Sequence, residues 1–249
     1  ELALSFYRQI GFPNISVLEY LMTMLNSNYE EWRMANPGEP MQKFPFNTKK
    51  MGSSGALFDM DKLMDVSKNV ISRMSAAEVY EEVASWAEEN DPEFAALFTR
   101  DPAYSQAILS IGRGGKKPRK DIGLWQDVKP YMSFFFDELF EPDYGQMPSL
   151  ETNMVRQILK DYQSVYDPAD DGSVWFDKLK EMCPKYRLCG DMKTYKKNPE
   201  DYAGSVADLS MVLRVAITGR AQSPDLAQVC GLLGKERVLR RLEQAAEHF

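Results

Sequence analysis

Residues 75–111 read SAAEVYEEVASWAEENDPEFAALFTRDPAYSQAILSI, and three helix starts are written into them. Ser75 followed by Glu78 has capping-box spacing. In that motif the Ser hydroxyl and the Glu carboxylate each satisfy a backbone N–H that the first helical turn leaves open. A helix over 76–89 follows. Asp91-Pro92 and Asp101-Pro102 repeat a second signal, a capping acid before a proline at the first helical position, where the missing N–H costs nothing. They predict helices over 92–99 and 102–111.

Working outward, the pattern stays helical. Over residues 2–10, Leu4, Phe6, Tyr7 and Ile10 give one apolar face that stops at Gly11, and Asn14 is placed to cap a helix through Leu18, Leu21, Met22 and Leu25. Residues 26–47 are polar and hold Pro37, Gly38, Pro40 and Pro45, which reads as a long connection. Gly52–Gly55 reads as a flexible turn, after which Asp59 caps a helix with Leu63, Met64, Val66, Val70 and Ile71.

Beyond the opening stretch, residues 112–120 form a basic glycine-rich loop. Helices are expected at 121–128 and 130–140, from Ser149 to Tyr166, and over 173–183. The lysine-rich stretch 184–200 supports no assignment. Asn198-Pro199 is expected to open a helix through Leu209, Val212, Leu213 and Ile217 to Gly219. Ser223-Pro224 then starts a last helical segment that breaks at Gly231 or Gly234. Strand-like alternation is scarce and no repeat of fixed period occurs. The expected class is all-α, with roughly a dozen helices.

Composition narrows the chemistry. The chain has 249 residues, 44% of them hydrophobic, so a packed core is within reach. No apolar run approaches the ~20 residues that span a bilayer, and Phe134-Phe135-Phe136 is soon followed by charges. Cys183, Cys189 and Cys230 are an odd set without zinc-ligand spacing. Reduced thiols in a cytoplasmic protein are the expectation. His248 is the only histidine, which removes Ser-His-Asp, Cys-His and His-metal catalysis together. The net charge of −7 argues against a non-specific nucleic-acid binder. It does not argue against local basic clusters, because exposed charges are screened beyond ~8 Å. The chain begins Glu1-Leu2-Ala3-Leu4 without an initiator Met. A piece of a longer product is expected, with N-terminal processing or disorder as the other reading.

The final residues are the most specific. Leu213–Arg220, Ser223-Pro224-Asp225-Leu226 and Leu232-Leu233-Gly234-Lys235-Glu236-Arg237 through Leu242 resemble, in order and spacing, the C-terminal signature of bacterial glutamyl-tRNA synthetases. Leu4–Phe12 with Tyr20-Leu21 resembles the helical region after that family's second catalytic motif. Gly55–Leu63 resembles its Phe-Asp-x-x-Lys-Leu segment.

The resemblance implies helical bundles in an elongated multi-subdomain array. Its parts would be a stem-contact-like region at 1–74 and two anticodon-binding subdomains at 75–146 and 147–249. The family's His-containing ATP-binding motif is absent, since His248 stands alone. Lys50-Met51-Gly52-Ser53-Ser54 only imitates the family's lysine-serine motif. No Rossmann-type run is present. The resemblance thus implies the tRNA-holding part of a glutamate–tRNA ligase, inactive on its own. It also implies a tRNA(Glu) partner, no cofactor in this chain (ATP and Mg belonging to the catalytic part), neither membrane nor DNA contact, a monomer, and a cytoplasmic location. The other reading is a free-standing helical interaction module paralogous to the synthetase tail.

Arg113, Lys116, Lys117, Arg119 and Lys120 put five positive charges into eight residues. From the residues alone this is either a phosphate-contacting loop or a solvated one. The resemblance favours contact and implies that Arg119 lies near the third anticodon base, as in members that charge only glutamate tRNA. Its planar fork of donors suits an unstacked base edge. Ser223-Pro224 with Asp225 reads locally as a helix start. The resemblance places Ser223, Pro224 and Leu226 against anticodon bases, with Arg214 close by. Lys235, Arg237, Arg240 and Arg241 read as a salt-bridged helix face, and Trp125 and Tyr131 as core in preference to base-stacking groups. Gly112-x-Gly114-Gly115 follows no strand, so a P-loop is not expected. About four neutralised phosphates would give a salt slope near −3, with Arg119→Ala weakening tRNA binding and Arg33→Ala leaving it unchanged.

Overall fold

Gly11 ends the first helix, as its place after Ile10 predicts. In the computed structural model, which describes residues 3–51 and 57–249, helix α1 (Leu4–Ile10) stops where Gly11 turns left-handed at φ 93°. A side chain there would stand 2.8 Å from Trp125 Cβ, and the Gly11 carbonyl accepts the Trp125 N–H at 2.8 Å. The start of the first predicted helix at Leu2 and the turn at Gly52–Gly55 lie outside the described residues. The all-α expectation holds, with 69% helix and 2% strand among the described residues.

The chain divides into two compact units, 1–132 and 133–249. In the first, α2 (Asn14–Leu25) begins on Asn14 itself, with Pro13 in the cap position and no side-chain cap. The expected long connection contains a helix, α3 (Tyr29–Ala35). Its Tyr29 packs on Trp32 and Phe44 with ring centroids 5.8 and 5.0 Å away. The prolines after it masked a helix of only two turns. Asp59 caps α4 (Met60–Arg73) by accepting the Lys62 N–H at 3.0 Å. Both halves of the Ser75–Glu78 capping box are made at the start of α5 (Ala76–Asn90). Asp91 and Asp101 cap α6 (Pro92–Thr99) and α7 (Pro102–Ser110) as predicted. Val79, Val83, Ala87, Phe94, Phe98 and Ile108 are fully buried between these helices.

The helices expected at 121–128 and 130–140 are replaced by shorter pieces. A 3-10 turn at Trp125–Asp127 leads into α8 (Val128–Met132), and further 3-10 turns follow at 133–135 and 137–139. Phe134, Phe135 and Phe136 are all buried, and three consecutive side chains cannot share one face of an α-helix.

In the second unit, α9 (Thr152–Val165) starts after Glu151, not at Ser149. Asp171 caps α10 (Gly172–Met182). The unassigned stretch folds as β1 (Leu188–Cys189), paired in parallel with β2 (Gly204–Ser205) around α11 (Met192–Lys197). Asn198-Pro199 makes only a 3-10 turn. The capping box that opens α12 (Val206–Thr218) is Ser205 with Asp208. Gly219, at φ 75°, stops it as expected. Asp225, and not Ser223, caps α13 (Leu226–Leu233), and the break before α14 (Lys235–His248) falls at Gly234. Cys183, Cys189 and Cys230 are free and buried. Among the described residues no helix is long and apolar enough to cross a membrane.

Candidate nucleic-acid interface

The basic loop is closed at its base by two backbone features. The Arg119 N–H donates to the Gly112 carbonyl at 3.0 Å. Gly112 takes φ +69°, and a side chain on it would strike the Arg119 stem at 2.6 Å. Gly112 is therefore the floor on which Arg119 lies. The guanidinium holds Asp121 with both a 2.6 Å Nε bond and a 3.0 Å Nη2 bond. That pairing raises the arginine's pKa further. It also fixes the direction of the fork while leaving Nη1 without a protein partner among the described residues.

The five cations of the loop do not act alike. Arg113 donates to the carbonyls of Leu109, Ile71 and Met74 at 2.9, 2.5 and 3.0 Å, and burial lowers its pKa. It joins the ends of α4 and α7, so its Nε and Nη1 donors are committed within the protein. Lys116, Lys117 and Lys120 are exposed and make no ion pair among the described residues. Trp125 is core, at 3% exposure, and burial raises the Tyr131 pKa. The crevice where Arg119 meets Tyr131, Ile71 and Ile122 measures about 10 Å³, room for one water and no more.

In the second unit, Arg214 supports the turn expected to face RNA. Its Nη1 donates to the Ser223 and Pro224 carbonyls at 3.3 and 3.1 Å and to the Ser223 hydroxyl. Ser223 and Pro224 are thus held in place by Arg214, and all three gather at one point. Leu226 is 2% exposed, so the expected apolar edge for base stacking is enclosed in the core. The neighbouring turn is equally fixed. Gly219 sits where a side chain would meet Pro142 Cα at 2.8 Å, and Arg220 donates to the Ser133 hydroxyl at 2.6 Å.

The charged face expected on α14 is in part internal. Arg241 is 1% exposed. It donates to the Phe134 and Ile217 carbonyls, both at 2.8 Å, and to Asp137 at 3.1 Å. Arg240 pairs with the same carboxylate at 2.7 Å, and Arg237 holds the Phe135 carbonyl. Burial raises the Asp137 pKa, but the Arg241 hydrogen bond and the Arg237 and Arg240 charges outweigh it and the net shift is downward.

Arg33, whose replacement is expected to leave tRNA binding unchanged, is buried. It donates to Glu19, to Tyr29 and to the Asn36 and Glu39 carbonyls. Helical periodicity alone places neither arginine inside, because the carbonyls they satisfy come from distant or irregular segments. Arg187, Lys193, Lys196 and Lys197 form a second exposed basic group around α11; besides their composition, the sequence signal that could have found the helix is Asp191, whose side chain caps its start.

A profile of the anticodon binding domain matches residues 196–246. The chain is similar to the glutamate–tRNA ligase of Sorangium cellulosum (strain So ce56), 43% identical over 97% of this chain and 43% of that protein. The glutamate–tRNA ligase of Acetivibrio thermocellus is 42% identical over 98% of the chain and 45% of its own length. The chain thus spans less than half the length of these relatives. Among solved structures, a glutamate tRNA ligase from Elizabethkingia meningosepticum superposes with a TM-score of 0.64 at 17% identity, over 97% of this chain and 42% of that one. That likeness concerns the fold.

Proposed function

Nearly the whole chain is homologous to the C-terminal part of glutamate–tRNA ligases, and on that premise we propose that it is the tRNA-recognition part of such an enzyme, with tRNA(Glu) as its partner. The observation that carries this reading is the relatives' 42–43% identity along almost all of the chain, joined to the anticodon-binding match at 196–246. In this reading glutamate–tRNA ligation belongs to the longer protein. This chain acts as a monomer in the cytoplasm, needs no cofactor, and is inactive alone. Phosphates supply affinity through Lys116, Lys117 and Lys120, and unstacked bases supply specificity. Three free lysines correspond to a loop salt slope of about −2 at ~0.7 per contact.

Arg119 is the base-reading residue in this scheme. Asp121 orients its fork, and Nη1 keeps donors to spare. Arg214 contributes indirectly by holding the Ser223–Pro224 turn, whose following helix start leaves first-turn N–H groups open. The test is fluorescence-anisotropy binding of glutamate and glutamine tRNAs that differ at the third anticodon base. Arg119→Ala should lower affinity for the glutamate tRNA about tenfold, the loss expected for one charged hydrogen bond. The exposed Lys160→Ala serves as control. Equal binding of unrelated tRNAs, unaffected by Arg119→Ala, would overturn the assignment.

A further inference from the structure

A space large enough for a base lies beside Pro118 and Lys120 of the loop. In the first unit a cleft of about 410 Å³ opens between α2, α3, α4 and the loop residues Pro118 and Lys120. We propose that this cleft seats one nucleotide of the bound RNA, its phosphate on Arg73 and Lys120 and its base against Met34, Pro37 and Pro118. The proposal rests on the tRNA-binding reading and adds to it a site with Arg73 as its anchor.

Charge is the first argument. Arg33, Arg73 and Lys120 face two carboxylates, Glu19 and Glu30. Glu30 is already paired with Lys62 at 2.5 Å. Glu19, 5% exposed, is clamped by Arg33 at 2.8 Å and by Arg73 at 3.1 Å. Both acids are therefore neutralised locally, and the cleft keeps a positive excess in a chain of net charge −7.

Donor geometry is the second argument. Arg33 uses Nε, Nη1 and Nη2 within the protein, so it forms wall. Arg73 commits only Nη2, to Glu19, while its side chain stays 26% exposed. Its Nε and Nη1 have no protein partner among the described residues. A buried carboxylate thus holds Arg73 in a fixed orientation with donors to spare, a suitable arrangement for phosphate.

Size and surface are the third. The volume falls in the ~300–1,000 Å³ range of small-ligand sites. Met34, 72% exposed, together with Pro37 and Pro118, offers an apolar edge to a base face. Asn69 and Ser72 line the same cleft and add polar groups at helix α4.

The test uses the full chain and tRNA(Glu) transcript, with affinity measured across a salt series. Thr23→Trp fills the cleft, removes no charge, and loses only a hydroxyl bond to the Tyr20 carbonyl of its own helix. It should cut affinity about tenfold, the loss expected for one stacked base. Arg73→Met should lower the salt slope by about 0.7. Because Arg73→Met also strips Glu19 of a partner, Thr23→Trp decides. If Thr23→Trp binds like the wild type while Lys116→Ala with Lys117→Ala binds more weakly, the cleft proposal falls and the tRNA reading stands. Absence of tRNA binding by the wild type overturns both. Cytidine 5′-monophosphate that occupies the cleft without displacing tRNA would assign the site to a free nucleotide and overturn it as well.

Discussion

Arg33, Arg119 and Arg241 show how differently one side chain is used in this protein. Arg33 and Arg241 are enclosed, and each donates to two backbone carbonyls. Removing one partner of a buried ion pair costs about 3–5 kcal/mol, because the other charge is left uncompensated. Arg33→Ala leaves Glu19 with Arg73 alone. Arg241→Met frees two buried carbonyls and takes one of three arginines from Asp137. Each variant should lower the urea midpoint by more than about 1 M, given slopes of about 1–3 kcal/mol/M. Arg119 is 40% exposed at its side chain, and its replacement by Ala should leave the midpoint unchanged within about 0.5 kcal/mol. A variant that weakens tRNA binding without moving the urea midpoint is thereby separated from one that unfolds the protein. The cysteines supply a further check at this scale. Burial pushes the Cys183 thiol up to about 11 and the Cys230 thiol up to about 12. Both should resist a thiol-specific chromogenic reagent at pH 8 and react once urea unfolds the chain. Rapid labelling of the native protein would contradict their burial.

At the level of elements, the sequence was readable wherever a short polar signal decided a helix end. Ser75–Glu78, Asp91-Pro92, Asp101-Pro102, Asp59, Gly11 and Gly219 all act as their positions predict. Each works through one or two backbone groups within four residues, so nothing distant is needed to read it. Elsewhere the decisive partner was remote. The helix over Tyr29–Ala35 depends on Phe44 and on Arg33 meeting Glu19. The pieces after Ile122 depend on burying Phe134, Phe135 and Phe136 together. The parallel pair at 188 and 204 brings together segments separated by a helix. For the same reason Arg113 and Leu226 looked available in the sequence and are committed in the fold.

The Ser205–Asp208 capping box is the element-level case that sequence inspection missed, Asn198-Pro199 having been the stronger local signal. Ser205→Ala should cost about 1 kcal/mol, in the range of other lost caps, measurable as a shifted urea midpoint. Gly219→Ala should cost more than that. The residue must enter the left-handed region, and its methyl group would meet Pro142 backbone at 2.8 Å. If the Gly219→Ala midpoint matched wild type, the tight packing of that turn against Pro142 would be wrong.

Across the whole molecule, net acidity is compatible with the proposed RNA recognition because the acids have local work. Asp59, Asp91, Asp101, Asp171, Asp191 and Asp225 cap helices, while Lys116, Lys117 and Lys120 make no ion pair among the described residues. Several carboxylates also couple stability to pH. For Asp91 and Asp161 burial raises the pKa, but hydrogen bonds from Lys129 and from Lys185 and Tyr186 respectively outweigh it. Asp137 behaves likewise through its three arginines. All three therefore titrate lower in the folded chain than the value near 3.9 expected when unfolded. Between those two values the unfolded chain binds more protons, so stability falls as pH falls. The contribution is complete above about pH 4–5 and disappears as pH drops through the folded values. Urea midpoints measured at pH 7, 5, 4 and 3 should be nearly level at first and then decline below about pH 4. Asp137→Asn should flatten part of that decline, since its carboxyl no longer titrates, while lowering the midpoint at pH 7 by unpairing Arg241. A midpoint unchanged down to pH 3 in the wild type would mean that these carboxylates are not held by their cationic and hydrogen-bonding partners as the structure places them.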